Sequence, residues 1–167
     1  MKGPVAIVGY MGSGKTTVGR ILARKLGWEF VDLDRTIAKE AGCVISEIFT
    51  RCGEEHFRDL EHSALVATLD DKGESVVACG GGIVVCPENR VKLKDVVTVF
   101  LREDLDILYD RTRGASRPLR AASREEFERR YAGRLPFYEE VTDLEVPIRE
   151  RLPEEVAEEI ARWLLDA

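Results

Sequence analysis

The stretch GYMGSGKTT, Gly9 to Thr17, follows directly on the apolar run Val5-Ala6-Ile7-Val8. No other feature limits the fold of this chain so tightly. A run that is apolar at every position suits a strand buried on both faces of a parallel sheet. The helical spacing of Val18, Ile21, Leu22 and Leu26 follows, with Gly27 as a stop signal. Gly9, Gly14, Lys15 and Thr16 satisfy G-x-x-x-x-G-K-[ST] in the context it requires, between a strand and a helix. Glycines let successive N–H groups turn towards phosphate oxygens, and the helix adds its positive end. Lys15 is placed to reach the β- and γ-phosphates of a nucleotide, and the Thr16 hydroxyl to ligate Mg²⁺.

The rest of the chain continues the alternation. WEFVDLD, Trp28 to Asp34, reads as a second strand. Residues 36–41 and 45–52 read as short helices, and 54–69 as a longer one. SVVACGGG is a third strand breaking into glycines, and Val96 to Leu101 a fourth. Pro87 to Lys94 and Leu105 to Thr112 read as helices. Ser123 and Glu126 form a capping box that opens another helix, interrupted near Pro136. Leu144 to Ile148 is a short fifth strand, and Pro153 starts a final helix. Five strands interleaved with helices make a parallel α/β sandwich. With 167 residues, a single domain is expected.

A net charge of −6 argues against non-specific nucleic-acid binding. No stretch has the length of a membrane span and no secretory signal is recognised, so a cytoplasmic protein is expected. The four cysteines form no C-x-x-C pair. Cys52 and His56 stand i,i+4 without a second pair, so a zinc site is not expected and free thiols are. Charge is unevenly spread: Arg111 to Arg120 carries four arginines and no acid, as a local anion site or a solvated loop would.

Three further motifs each carry two readings. Asp32 and Asp34 share a strand face at its carboxyl end. One can hold a metal's water shell and the other accept a proton, or the pair is a solvated strand end with an Asp cap. Gly80 to Gly82 allow close approach of a ligand, or form a tight turn. Arg58 and Glu61, i,i+3 on a helix, are a surface ion pair, or Glu61 fixes the fork of Arg58 for a carboxylate. Phe49 and Phe57 are core residues that could also wall a pocket for a carbon ring.

Together the motifs GYMGSGKTT, VDLD, GEEHFRDLE, ACGGG, SRPL and RLPFYEEV resemble the shikimate kinase family over nearly the whole chain. The resemblance implies a P-loop three-layer sandwich with sheet order 2-3-1-4-5, helices on both faces and an Arg-rich lid. It implies Mg²⁺-dependent transfer from ATP to the 3-hydroxyl of shikimate, in a monomer. Gly12, Ser13, Gly14, Lys15, Thr16 and Thr17 would cradle ATP, with Thr16 on the metal and Asp32 supporting its waters. Asp34 would bind the shikimate hydroxyls and act as base. Arg58, Gly81 and Arg134 would hold shikimate, the arginines on its carboxylate. Arg117 would close over the phosphates, and Lys15 and Arg117 would stabilise the transferring group. Arg111 and Arg151 would flank adenine, with Arg149 competing for the place of Arg151. The implied division is a core at 1–111 and 135–167, a shikimate-binding helical segment at about 34–61 and a lid at about 112–123. Cys79 stands where the family often has Ser or Thr, which weakens a contact to metal-bound water. The rivals are another small-molecule kinase of this fold, such as a gluconate or nucleoside-monophosphate kinase, and an ATP-switched binding module.

Overall fold

The fold is known from a computed structural model, which describes residues 3–71, 73–112 and 123–166. Strand β1, Val5–Val8, lies at the centre of a five-stranded parallel sheet. Its alternation is visible in where the side chains go. Val5 and Ile7 join one buried cluster, while Ala6 and Val8 join the other. Both faces are apolar because both are covered, as the unbroken apolar run requires.

The order is β2-β3-β1-β4-β5, with β2 at Glu29–Asp32, β3 at Ser75–Ala78, β4 at Val97–Arg102 and β5 at Leu144–Pro147. This is the order implied by the family resemblance. On one face, α1 (Lys15–Leu26) packs against α7 (Pro153–Asp166). Val18 and Leu22 meet Val156, Ile160 and Leu164 there. Each such side chain, fully buried, stabilises the fold by about 1.5–3 kcal/mol. The other face is covered by α3 (Ile45–Asp70), α4 (Pro87–Leu93) and α6 (Arg124–Val141). Two helices complete the set: α2 (Leu33–Ala41) after β2 and α5 (Leu105–Thr112) after β4. A 3-10 turn, Ile83–Val85, follows the glycine triplet and was not expected.

Two expectations are corrected and one division is kept. The second strand stops at Asp32, because the Asp32 carboxylate accepts the Arg35 N–H at 3.3 Å and caps α2. Asp34 therefore sits in the first turn of a helix, and strand alternation is not what brings the two acids together. The division between 45–52 and 54–69 holds: two helices meet at a kink at Gly53, whose non-helical φ of 83° a side chain would strain. The helix containing Pro136 is not interrupted. Pro136 lacks the N–H that would continue the ladder. Phe127 on one side of it and Tyr138 and Val141 on the other are all buried, which pins both halves to the core.

Among the described residues, no helix is long and apolar enough to cross a membrane.

Candidate active site

The loop after β1 opens on a cleft of about 560 Å³ at the carboxyl ends of the strands. The sheet order reverses beside β1, and open α/β sheets bind ligands at such a reversal. Gly12, Gly14, Lys15, Thr16 and Thr17 line one end of the cleft. Gly14 caps α1 in a left-handed conformation with no side-chain cap bond, so the helix opens with its N–H groups towards the cleft. Ser13 is buried in the loop. Lys15 Nζ donates to the carbonyls of Gly9 and Tyr10 at 2.8 and 2.9 Å, which folds its charge over the loop.

The Thr16 hydroxyl donates to Asp32 Oδ2 at 2.9 Å. Asp32 thus serves at once as helix cap and as partner of the P-loop threonine. Asp34 lines the same cleft. These are hard oxygen donors, suited to Mg²⁺ holding most of its water. Among the described residues no group of three or more His, Cys, Asp or Glu could cage a metal by itself.

At the other end, Arg58 Nη1 donates to Glu61 Oε2 at 2.7 Å and Nη2 to Glu54 at 3.0 Å. Glu61 is 1 % exposed. Burial pushes its carboxyl above the usual range, against the pull of Arg58, and the nearby charge of Asp34 adds to the rise. Burial works against the Arg58 charge as well, yet Glu61 and Glu54 outweigh it and hold the guanidinium above its ordinary value. Arg58 and Glu61 are therefore not a solvated surface pair.

The glycine triplet has a steric reason. A Cβ on Gly82 would lie 2.4 Å from Arg58 Nη1. One on Gly80 would lie 2.7 Å from Glu61 Oε1 and 3.0 Å from Asp34 Oδ1. Two of the three glycines thus clear space for the protein's own charged groups. Phe57 is buried, stacks against Phe49 with centroids 4.6 Å apart, and shares the cleft wall with Ile45. Both readings of Phe57, core and wall, therefore hold.

Arg134 reaches the triplet from α6. Its Nη1 donates to the Gly81 carbonyl at 3.2 Å, and its guanidinium stands 5.5 Å from the centre of the Tyr10 ring. Tyr138 donates to the same carbonyl. Its role was missed, although the i,i+4 spacing from Arg134 puts both on one helix face.

Arg111 lines the nucleotide end, donates to the Gly12 carbonyl at 3.3 Å and pairs with Glu103 Oε2 at 3.0 Å. Glu103, its side chain fully buried just after β4, was also missed; its signal is an acid at the carboxyl end of a strand, beside the cleft. Neither Arg149 nor Arg151 lines the cleft. Arg151 is held instead by the Pro147 carbonyl at 3.1 Å and Glu159 at 2.5 Å. Cys79 is buried in the cleft floor, its thiol turned to the Val77 carbonyl, and burial pushes it well up, so it stays a neutral thiol. The four cysteines are free. Arg117 and Gly114 of the expected lid lie outside the described residues.

The family model described as shikimate kinase matches residues 11–165. A shikimate kinase of Thermodesulfovibrio yellowstonii is 38% identical over 162 residues, 95% of this chain and 92% of its own. One from Persephonella marina is 39% identical over 93% of this chain and 95% of its own. Among solved structures, shikimate kinase from Acinetobacter baumannii in complex with shikimate superposes with a TM-score of 0.92. It is 34% identical, over 99% of this chain and 94% of that one.

Proposed function

The chain belongs to the shikimate kinase family, and we propose that this cleft lays shikimate in line with the terminal phosphate of ATP. It is a phosphotransferase with an alcohol acceptor, and it phosphorylates the 3-hydroxyl of shikimate in aromatic amino acid biosynthesis. The observation that carries the geometric reading is the lining of that cleft. Lys15 and Thr16 of the P-loop share it with Asp34, Arg58 and Arg134.

The chemistry follows from charge. Both substrates are anions, and an acidic protein must gather cations locally to hold them. Arg58 and Arg134 take the shikimate carboxylate, a planar group that suits their forks. Gly81 offers backbone at close range. The helix N-terminus and Gly12 to Thr17 take the phosphates, and Arg111 stands beside them. Lys15 leaves the loop carbonyls for the phosphate oxygens. Thr16, and Asp32 through water, would hold Mg²⁺, which would supply charge neutralisation on the phosphates. Asp34 orients the attacking hydroxyl and accepts its proton. Arg117, from a lid over about 112–123, closes on the transferring group, and closure excludes water, a competing nucleophile. Arg151 reaches adenine only by leaving Glu159. The enzyme works as a cytoplasmic monomer.

The test is ADP release coupled to a spectroscopic readout, with and without shikimate. Release is expected only with shikimate. Equal release with gluconate or a nucleoside monophosphate would place the acceptor elsewhere, and slow release independent of any acceptor would make the chain an ATP switch.

A further inference from the structure

The backbone behind the glycine triplet has its carbonyls held from outside. Gly81 is held from α6 by Arg134 and Tyr138. The Gly82 carbonyl accepts from the Val85 N–H at 3.0 Å, and the three carbonyls of the 3-10 turn, Ile83 to Val85, are taken by two adjacent residues of α4. Asn89 Nδ2 donates to the Ile83 carbonyl at 3.0 Å, and Arg90 Nη1 donates to those of Val84 and Val85 at 2.8 and 3.3 Å.

Both residues are tied to other elements. Asn89 is fully buried, and its Oδ1 lies 2.7 Å from His62 Nδ1 on α3. Since Nδ2 donates to Ile83, Oδ1 accepts, and His62 carries a proton on Nδ1. Arg90 extends to α6. Its Nε is 3.0 Å from Glu140 Oε2, and its guanidinium stands 4.3 Å from the centre of the Phe137 ring. Its side chain is only 15% exposed, so solvent competes little for these contacts.

A run of three glycines has wide conformational freedom, and the Gly80 and Gly82 carbonyls are tied to the Ile83 and Val85 N–H groups at 3.1 and 3.0 Å, so the triplet is as fixed as the 3-10 turn that holds it. The clearances around it are tight, as the contacts of Gly80 and Gly82 show. Rigidity must come from neighbours, and Asn89 and Arg90 provide it. We propose that Asn89 and Arg90 are positioning residues for the acceptor. They lock the triplet against α3 and α6, and so set Gly81 and Arg134 at a fixed spacing without touching the substrate. This rests on the assignment of Gly81 and Arg134 to shikimate.

The experiment is steady-state kinetics in both substrates, with thermal unfolding of each variant alongside. Arg90→Met keeps the apolar stem and removes the donors. It is expected to raise KM for shikimate about tenfold and change KM for ATP less than about twofold, since a small misplacement of a ligand-holding group is enough. Arg90→Lys restores a charge and a donor and should recover part of the loss. Asn89→Ser should shift the same constant in the same direction and carries the test if Arg90→Met does not fold. Unchanged KM for shikimate would overturn the proposal. So would a rise of both KM values together, in step with a falling Tm, because that is what a merely structural role produces. Arg134→Ala separates the two levels. If it leaves KM for shikimate unchanged, the acceptor assignment fails. If it raises KM while the α4 variants do not, only the bracket fails.

Discussion

At the proposed nucleotide end of the cleft, consecutive residues from Gly9 to Thr17 would supply almost the whole grip. At the proposed acceptor end, Asp34, Arg58, Gly81 and Arg134 arrive from α2, α3, the triplet loop and α6. The first is built of backbone N–H groups, which need only a local conformation and a helix behind them. The second is built of charged side chains, which need counter-charges and clearance. Glu61 and Glu54 anchor Arg58, the Gly81 carbonyl anchors Arg134, and Gly80 and Gly82 leave the room. A site made of arginines is thus only as good as the acids and glycines that hold them.

That contrast can be broken most directly at the group joining its halves. Asp34→Asn is expected to lower kcat by about 10²–10⁴, the usual worth of a positioned base, while ATP binding measured by calorimetry stays as in the parent. Undiminished turnover would remove Asp34 from the chemistry.

Next in size is Gly82→Ala. Its methyl would meet the end of a flexible arginine, not backbone. The fold should therefore survive and Arg58 should move. KM for shikimate should rise roughly tenfold or more, since a displacement of about 1 Å can cost ~10²-fold. If Tm falls sharply and KM does not change, the triplet serves the fold and not the acceptor.

The third prediction concerns pH. Arg58 is steered by ionised Glu61, whose pKa lies above the ordinary 4.5 because the group is buried. KM for shikimate should therefore rise as pH falls through that raised value, at a pH above the usual carboxylate range. Stability runs the other way. A raised folded pKa gives a contribution that is fully present below 4.5 and is lost as pH rises through the folded value. Glu61→Gln should abolish the acid limb of KM. A limb that persists unchanged in this variant would assign it to another group.

The smallest effect is expected at the nucleotide end. Glu103→Gln removes the charge that pairs with Arg111 and keeps the shape. The Arg111 side chain is 44% exposed, so KM for ATP should rise by roughly 2- to 10-fold, the scale of one ordinary hydrogen-bonding contact of about 0.5–1.5 kcal/mol, with KM for shikimate unchanged. An effect on shikimate instead would mean that the two ends are not separately built.

Most of the architecture was legible because it rests on short-range pattern. The apolar run at Val5, the helical spacing after Lys15 and the capping box at Ser123 all became the elements they suggested. The P-loop was legible for the same reason. VDLD was misread, because whether a strand continues or a cap intervenes depends on one bond, Arg35 N–H to Asp32. Tyr138 and Glu103 were missed because each acts through a partner distant in the chain.

By itself, then, the order of residues determined the alternation of strand and helix, the phosphate loop and the choice of acids and arginines. These depend on conformational preferences within a few residues and on side-chain chemistry. Only the tertiary structure decided that Pro136 lies inside a helix, that Glu61 is buried beneath Arg58, and that a Cβ on Gly80 or Gly82 would press on Glu61 or Arg58. Those facts are distances between elements, and such distances are set when the helices settle onto the sheet.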